Sequence, residues 1–113
     1  MLTTNGIMES DGSQLRAVFI IDQVEYIYTS NTPMYPFQTL QAVLTYDSVL
    51  DLVGDKTYDC ILGINNVNLR FGDGTGNVAG ILTEPVEQQL DIHSFGTWIF
   101  SKDYASDAKQ FIR

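Results

Sequence analysis

The sequence predicts a mainly β fold: a small, single-domain β-sandwich or barrel with one or two short helices. Three observations lead there. Aromatic residues make up 12% of the chain, with six Tyr and six Phe, and such side chains favour a pleated, half-buried surface. Turn signals rich in Gly, Asn, Asp and Pro recur roughly every ten residues. Between them the apolar residues follow a period of two more often than one of 3.6. With 113 residues the chain is long enough for one core that removes roughly two-thirds of its unfolded surface from water. No internal repeat and no linker divides it.

Residues 1–14 are polar and carry the turn pairs Asn5-Gly6 and Asp11-Gly12. They read as an N-terminal arm, with residues 15–113 as the single β-rich domain. Leu15 to Thr29 is the clearest β segment. Ala17 to Ile21 is nearly continuous in apolar residues, as in a strand buried on both faces. Val24, Tyr26 and Tyr28 then alternate with Glu25, Ile27 and Thr29. Asp22-Gln23 is either a hairpin turn without the usual glycine or the middle of one long strand.

Pro33 and Pro36 make residues 30–36 a loop, because proline fixes φ and removes a donor. Thr39 to Tyr46 fits both periods: Leu40, Val43 and Leu44 have helical spacing, while Ala42, Leu44 and Tyr46 alternate. Asp47 to Val53 reads as a short helix, with Asp47 or Ser48 as its cap and Gly54 after its end. Thr57 to Phe71 reads as a hairpin turning at Asn65-Asn66. Residues 72–77 form a glycine-rich connection. Val78 to Thr83 is a strand, Val86 to His93 alternates weakly, and Gly96 to Phe100 is a strand carrying Trp98. Lys102 to Ile112 reads as a closing short helix.

Charge narrows the function. The net charge is −8, and the six cations stand singly along the chain. Nucleic-acid binding draws its free energy from clustered Lys and Arg, so no nucleic-acid partner is expected. An anionic membrane surface is excluded on the same ground. The N-terminus has no basic stretch followed by an apolar one, so no signal peptide is expected. Cys60 is the only cysteine and His93 the only histidine. Two such residues are too few for a typical zinc site, and no nucleophile motif accompanies His93. The loop from Gly72 to Asn77 lacks the lysine of a phosphate loop and the helix of a dinucleotide loop. It offers a calcium ion only Asp73. Neither enzyme activity nor a cofactor is therefore expected, although carboxylates brought together by folding would escape a sequence reading.

What remains is contact with other proteins. Met34, Tyr35 and Phe37 stand close together in the proline loop. Exposed, they make a contact surface; folded inward, they are core. From Asp73 onward the chain also resembles the head-decoration proteins of lambda-type bacteriophages. The likeness lies in a glycine-rich turn, the strand Ala79-Gly80-Ile81-Leu82, the step Gly96-Thr97-Trp98, and the acidic, alanine-containing stretch Asp103-Tyr104-Ala105-Ser106-Asp107. The first 70 residues depart from that pattern. The resemblance implies a small β-rich homo-oligomer assembled in the host cytoplasm into a virion, contacting capsid or tail subunits. It further implies an N-terminal arm that adds as a strand to a neighbour, with Leu2, Thr3, Thr4 and Ile7 as its pairing segment. The alternative is an acidic inhibitor that covers a basic site on a host protein.

Overall fold

A computed structural model describes residues 1–101 and shows an eight-stranded antiparallel barrel. The strands are β1 (Leu2–Ser10), β2 (Leu15–Ile21), β3 (Val24–Ser30), β4 (Phe37–Tyr46), β5 (Gly54–Leu62), β6 (Asn66–Phe71), β7 (Gly76–Leu82) and β8 (Leu90–Ser101). Around the barrel they run β1-β2-β3-β8-β5-β6-β7-β4, and β4 returns to β1. The closing helix expected over residues 102–112 lies outside the described residues.

This order contains two Greek keys. β1, β2 and β3 are successive hairpin partners, and β4 returns to lie beside β1. β5, β6 and β7 repeat the scheme, and β8 returns beside β5. The halves join through β3 with β8 and through β4 with β7. A pseudo-two-fold relation therefore maps β1–β4 onto β5–β8, although the sequence shows no repeat. Each returning connection crosses an end of the barrel, as a Greek key requires.

The N-terminal segment is not an arm. Gly6–Ser10 pair with β2, and Leu2–Gly6, Glu9 and Ser10 pair with β4. Gly6 looks like a turn residue but is a close-approach residue: a Cβ there would meet the Val18 carbonyl at 2.1 Å and the Phe19 ring at 2.5 Å. The ambiguity over Thr39–Tyr46 also has a cause. β4 is one strand with a bulge: Thr39 faces Leu82 and Gln41 faces Ile81, so Leu40 is the extra residue. The bulge shifts the alternation by one and leaves Leu40 71% exposed. It also frees backbone groups on β1, and Thr39 meets them. Met8 N–H donates to Thr39 Oγ1, which donates to the Met8 carbonyl, both at 3.1 Å.

The interior is filled by side chains, as the width of an eight-stranded barrel allows. Tyr28 is its centre, fully buried, with Phe71, Trp98 and Tyr58 at ring-centroid distances of 5.0, 5.3 and 6.0 Å. Its hydroxyl donates to the Lys56 carbonyl at 2.7 Å. Met34 from the β3–β4 connection and Phe37 at the start of β4 plug one end, and Leu52 plugs the other. The expected helix over Asp47–Val53 is only a 3-10 turn, Val49–Asp51. The Leu50 N–H donates to the Ser48 hydroxyl at its start. Seven residues between strands, spent crossing a barrel end, leave no length for more.

Asp22 and Gln23 form a two-residue hairpin turn, both with positive φ, 53° and 69°. That conformation suits a right-twisted hairpin, but an L-residue adopts it at a cost of roughly 1 kcal/mol or more. Replacing Gln23 by glycine is therefore expected to stabilise the protein by about 0.5–1 kcal/mol, read from the midpoint of urea unfolding. The opposite test is Gly96, where a Cβ would meet the Thr29 carbonyl at 2.3 Å and the Tyr28 ring at 2.8 Å. Gly96→Ala should cost at least about 2 kcal/mol, because the obstructing atoms are backbone and a locked core ring. An unchanged unfolding midpoint would contradict the packing described.

Candidate interaction surface

A closed, filled barrel has its chemistry on its outer wall and its ends. Among the described residues, the pairing of titratable side chains on the wall that could suggest catalysis is His93 with Asp59. The two are neighbours in register on β8 and β5, with Nδ1 and Oδ1 2.5 Å apart. The hydrogen bond and the carboxylate's charge raise the His93 pKa above the ordinary histidine value. Arg70 on β6 stands in register on the other side of Asp59. Cys60 does not join them. Alternation turns it inward, where burial pushes its thiol up to about 12. Its nucleophilic thiolate is therefore absent near neutrality. Among the described residues no group of three or more His, Cys, Asp and Glu converges to hold a metal. No described helix is long and apolar enough to cross a membrane.

The glycine-rich loop is a hairpin connection between β6 and β7. Asp73 closes it by accepting from Thr75 N–H at 3.1 Å and Thr75 Oγ1 at 2.6 Å, and Lys56 Nζ lies 2.6 Å away. Desolvation opposes ionisation of Asp73. The bonds from Lys56 and Thr75 outweigh it and hold the carboxyl at about 2. Its oxygens are engaged by Thr75 within the turn and by Lys56 of β5.

The residues singled out in the sequence as contacts are dispersed. Met34 and Phe37 are core, and Tyr35 alone of that cluster is exposed. The loop turns inward because Met34 N–H donates to the Gly12 carbonyl at 3.3 Å, and Thr32 bonds Ser94 at 2.6 Å. Leu2, Thr3 and Thr4 lie on β1 opposite Tyr46, Thr45 and Leu44 of β4. The main chain that was to pair with a neighbour is thus already engaged on the β4 side. Ile7 differs. It faces outward, 45% exposed, opposite Val18.

Ile7 begins a feature that spans four strands. Ile7 pairs with Val18, Val18 with Ile27, and Ile27 with Ile99. These four branched side chains lie in one outward row across β1, β2, β3 and β8. Ile99 is 54% exposed, and Ile20, one outward position along from Val18, is 49% exposed. The run Ala17–Ile21 is therefore apolar on both faces but buried on one. Isolated surface hydrophobes are ordinary; four in register on adjacent strands form a ridge.

A second apolar feature lies on the wall of β4, β7 and β6. It is an open groove of about 550 Å³ lined by residues that include Leu40, Val43, Ala79 and Ile81, with Asn66 and Asn68 along one side. None of its lining residues is charged, in a chain of net charge −8. Leu40 and Ile81 are 71% and 63% exposed. The sequence carried a signal for both features: Ile27, Leu40 and Ile81 occupy positions that alternation assigns to solvent.

The His93–Asp59 pair supplies a pH test. A raised pKa means that the pair adds stability below the unfolded histidine pKa, and this is lost as pH rises through the folded value. Both side chains are largely exposed, so the titration is the sharper readout. The His93 midpoint followed by NMR should lie above about 6.5 and fall on Asp59→Asn. A midpoint indifferent to that substitution would show that the pair does not form in solution. Comparisons with protein-family models, curated proteins and solved structures find no match to this chain.

Proposed function

We propose that this chain is a non-catalytic structural protein, a small component of a virus particle, that holds its neighbours through the outer wall of its barrel. The observation that carries the contact role is the ridge Ile7–Val18–Ile27–Ile99. The fold does not need it. One buried face suffices for an antiparallel strand, and the outer face is ordinarily polar. Apolar side chains aligned on a rigid, closed framework are what an interface core requires, since such cores are depleted of charge.

The setting in a virion is supported by the sequence likeness over β7, β8 and the residues that follow. The mode of attachment proposed here differs from the one that likeness implied. Insertion of the N-terminal segment as a free arm into a neighbouring sheet would require β1 to give up its pairing with β4. Side-chain contact through the wall leaves the barrel intact, and many modest copies of it add up across an assembly.

Two measurements test this. Native particles from producing cells should contain the chain. Particle incorporation should fall at least tenfold when Ile27 and Ile99 are both replaced by aspartate, since uncompensated charge in an apolar contact costs more than about 1.4 kcal/mol. The isolated variant should lose little stability, because outward cross-strand pairs contribute about 0.2–1 kcal/mol each. The reading fails if native particles contain no copies. It fails too if binding to a basic host protein drops steeply with salt and ignores the ridge, which is the behaviour of an acidic inhibitor.

A further inference from the structure

The ridge and the groove stand on opposite sides of the barrel. In the closed order of eight strands, β3 and β7 are four places apart, as are β2 and β6. The ridge is centred on β2 and β3, through Val18 and Ile27. The groove lies over β6, β7 and β4 and is centred on Ala79. The pseudo-two-fold relation makes these equivalent positions. The row Ile7–Val18–Ile27–Ile99 corresponds to the row Ile61–Asn68–Ala79–Val43, which is in register across β5, β6, β7 and β4. At the centre of the first row stand large branched residues; at the centre of the second stand Asn68 and Ala79. The second wall is hollow at the positions where the first carries branched side chains.

We infer that the ridge of one copy seats in the groove of the next, so that the chain assembles head to tail with itself. This rests on the reading of the outer wall as a contact surface and names the partner as a second copy. Three observations support it. A row of branched side chains on one wall has an apolar counterpart on the other, a hollow whose lining includes the small residues Ala79 and Gly80 and the large ones Leu40 and Ile81. The central ridge row and the groove lining carry no charge; the outward rows beside the ridge hold Glu9, Arg16 and Glu25, and a groove lined without acids brings no like charge against them. The bulge in β4 throws Leu40 outward to form the groove's edge, and bulges commonly re-aim a side chain in this way.

The geometry has a consequence. Contact between two different patches on opposite sides is heterologous, and it continues into a ring or a filament rather than stopping at a dimer. Four strands about 4.8 Å apart and three outward rows of residues give a face of roughly 400 Å². That is about half of what each partner gives to a standard interface. A single contact is therefore weak, and the array gains strength from number.

Sedimentation of the full chain up to about 1 mM tests this, since weaker contacts contribute little. The weight-average mass is expected to rise with concentration past twice the monomer mass of 12.6 kDa. Ile27→Asp on the ridge and Ala79→Arg in the groove should each weaken association at least about tenfold. Mixing the two variants should restore pairing that stops at two copies, because only one good ridge and one good groove remain. Should Ile27→Asp not fold, Ile99→Asp replaces it.

A wild-type monomer throughout, or association unchanged by Ala79→Arg, would overturn the inference. The latter would mean that ridges pair with ridges or that another partner covers them. A monomer that still enters native particles removes the array and leaves the proposed function standing. Arrays formed by a chain that is absent from particles do the reverse.

Discussion

Closure is the constraint on which everything else depends. A sheet of eight strands is stable as a barrel only if its last pairing forms and its interior is filled. Here that pairing is β1 with β4, and the filling is a cluster of rings around Tyr28. The two requirements are coupled. Gly96 lacks a side chain so that Tyr28 can lie against its backbone, and Gly6 is bare so that Phe19 can do the same. One cost remains in the core: Trp98 Nε1 is buried with no hydrogen-bond partner among the described residues. A buried unpaired donor costs about 1–3 kcal/mol. The contacts of Trp98 with Phe19, Tyr28 and Phe71 are the compensating gain, since each aromatic side chain buries about 150–250 Å².

Much of this was legible in the sequence, and what was not has definite causes. The strands β2, β3, β5, β6 and β7 follow alternation and turn chemistry, because each is regular and bounded by Asn, Asp or Gly. β1 looks like an arm in the sequence because its glycine and polar residues carry no visible alternation. Only Met8 and Ser10 in it are buried, and its place is fixed by β4, thirty residues on. β4 mixed two periods because a bulge inserts Leu40 into its alternation. The helix over Asp47–Val53 was a capping signal without a helix to cap. Ser48 does accept the Leu50 N–H, but the chain must reach β5 after one turn. Local signals register what neighbouring residues decide, and closure is decided by residues far apart in the chain.

The candidate site was less legible. Met34 and Phe37 were apolar residues in a proline loop, for which sequence alone does not choose between core and contact. Their burial follows from the loop crossing a barrel end that needs a plug. The residues of the ridge and groove come from all but one of the barrel's strands. No motif joins Ile7 to Ile99; they share a row only because β1, β2, β3 and β8 are successive in the barrel. What the sequence did hold was an excess. Val18, Ile20, Ile27, Leu40 and Ile81 are apolar where a one-sided strand asks for a polar residue.

Charge distribution gives that excess its direction. The described residues carry acids on loops and strands but none in the ridge row or the groove lining. Copies of this chain repel one another at long range, and the repulsion is screened within about 8 Å at physiological ionic strength. Apolar contact acts only at short range and is hardly weakened by salt. The two effects therefore pull self-association and host-site blocking in opposite directions. Added salt removes the repulsion between like copies and strengthens a ridge-in-groove contact, whereas it removes the attraction of an acidic surface for a basic one. A chain of net charge −8 whose ridge row and groove lining carry no charge is thus suited to remaining dispersed when dilute and to joining where a growing assembly concentrates it.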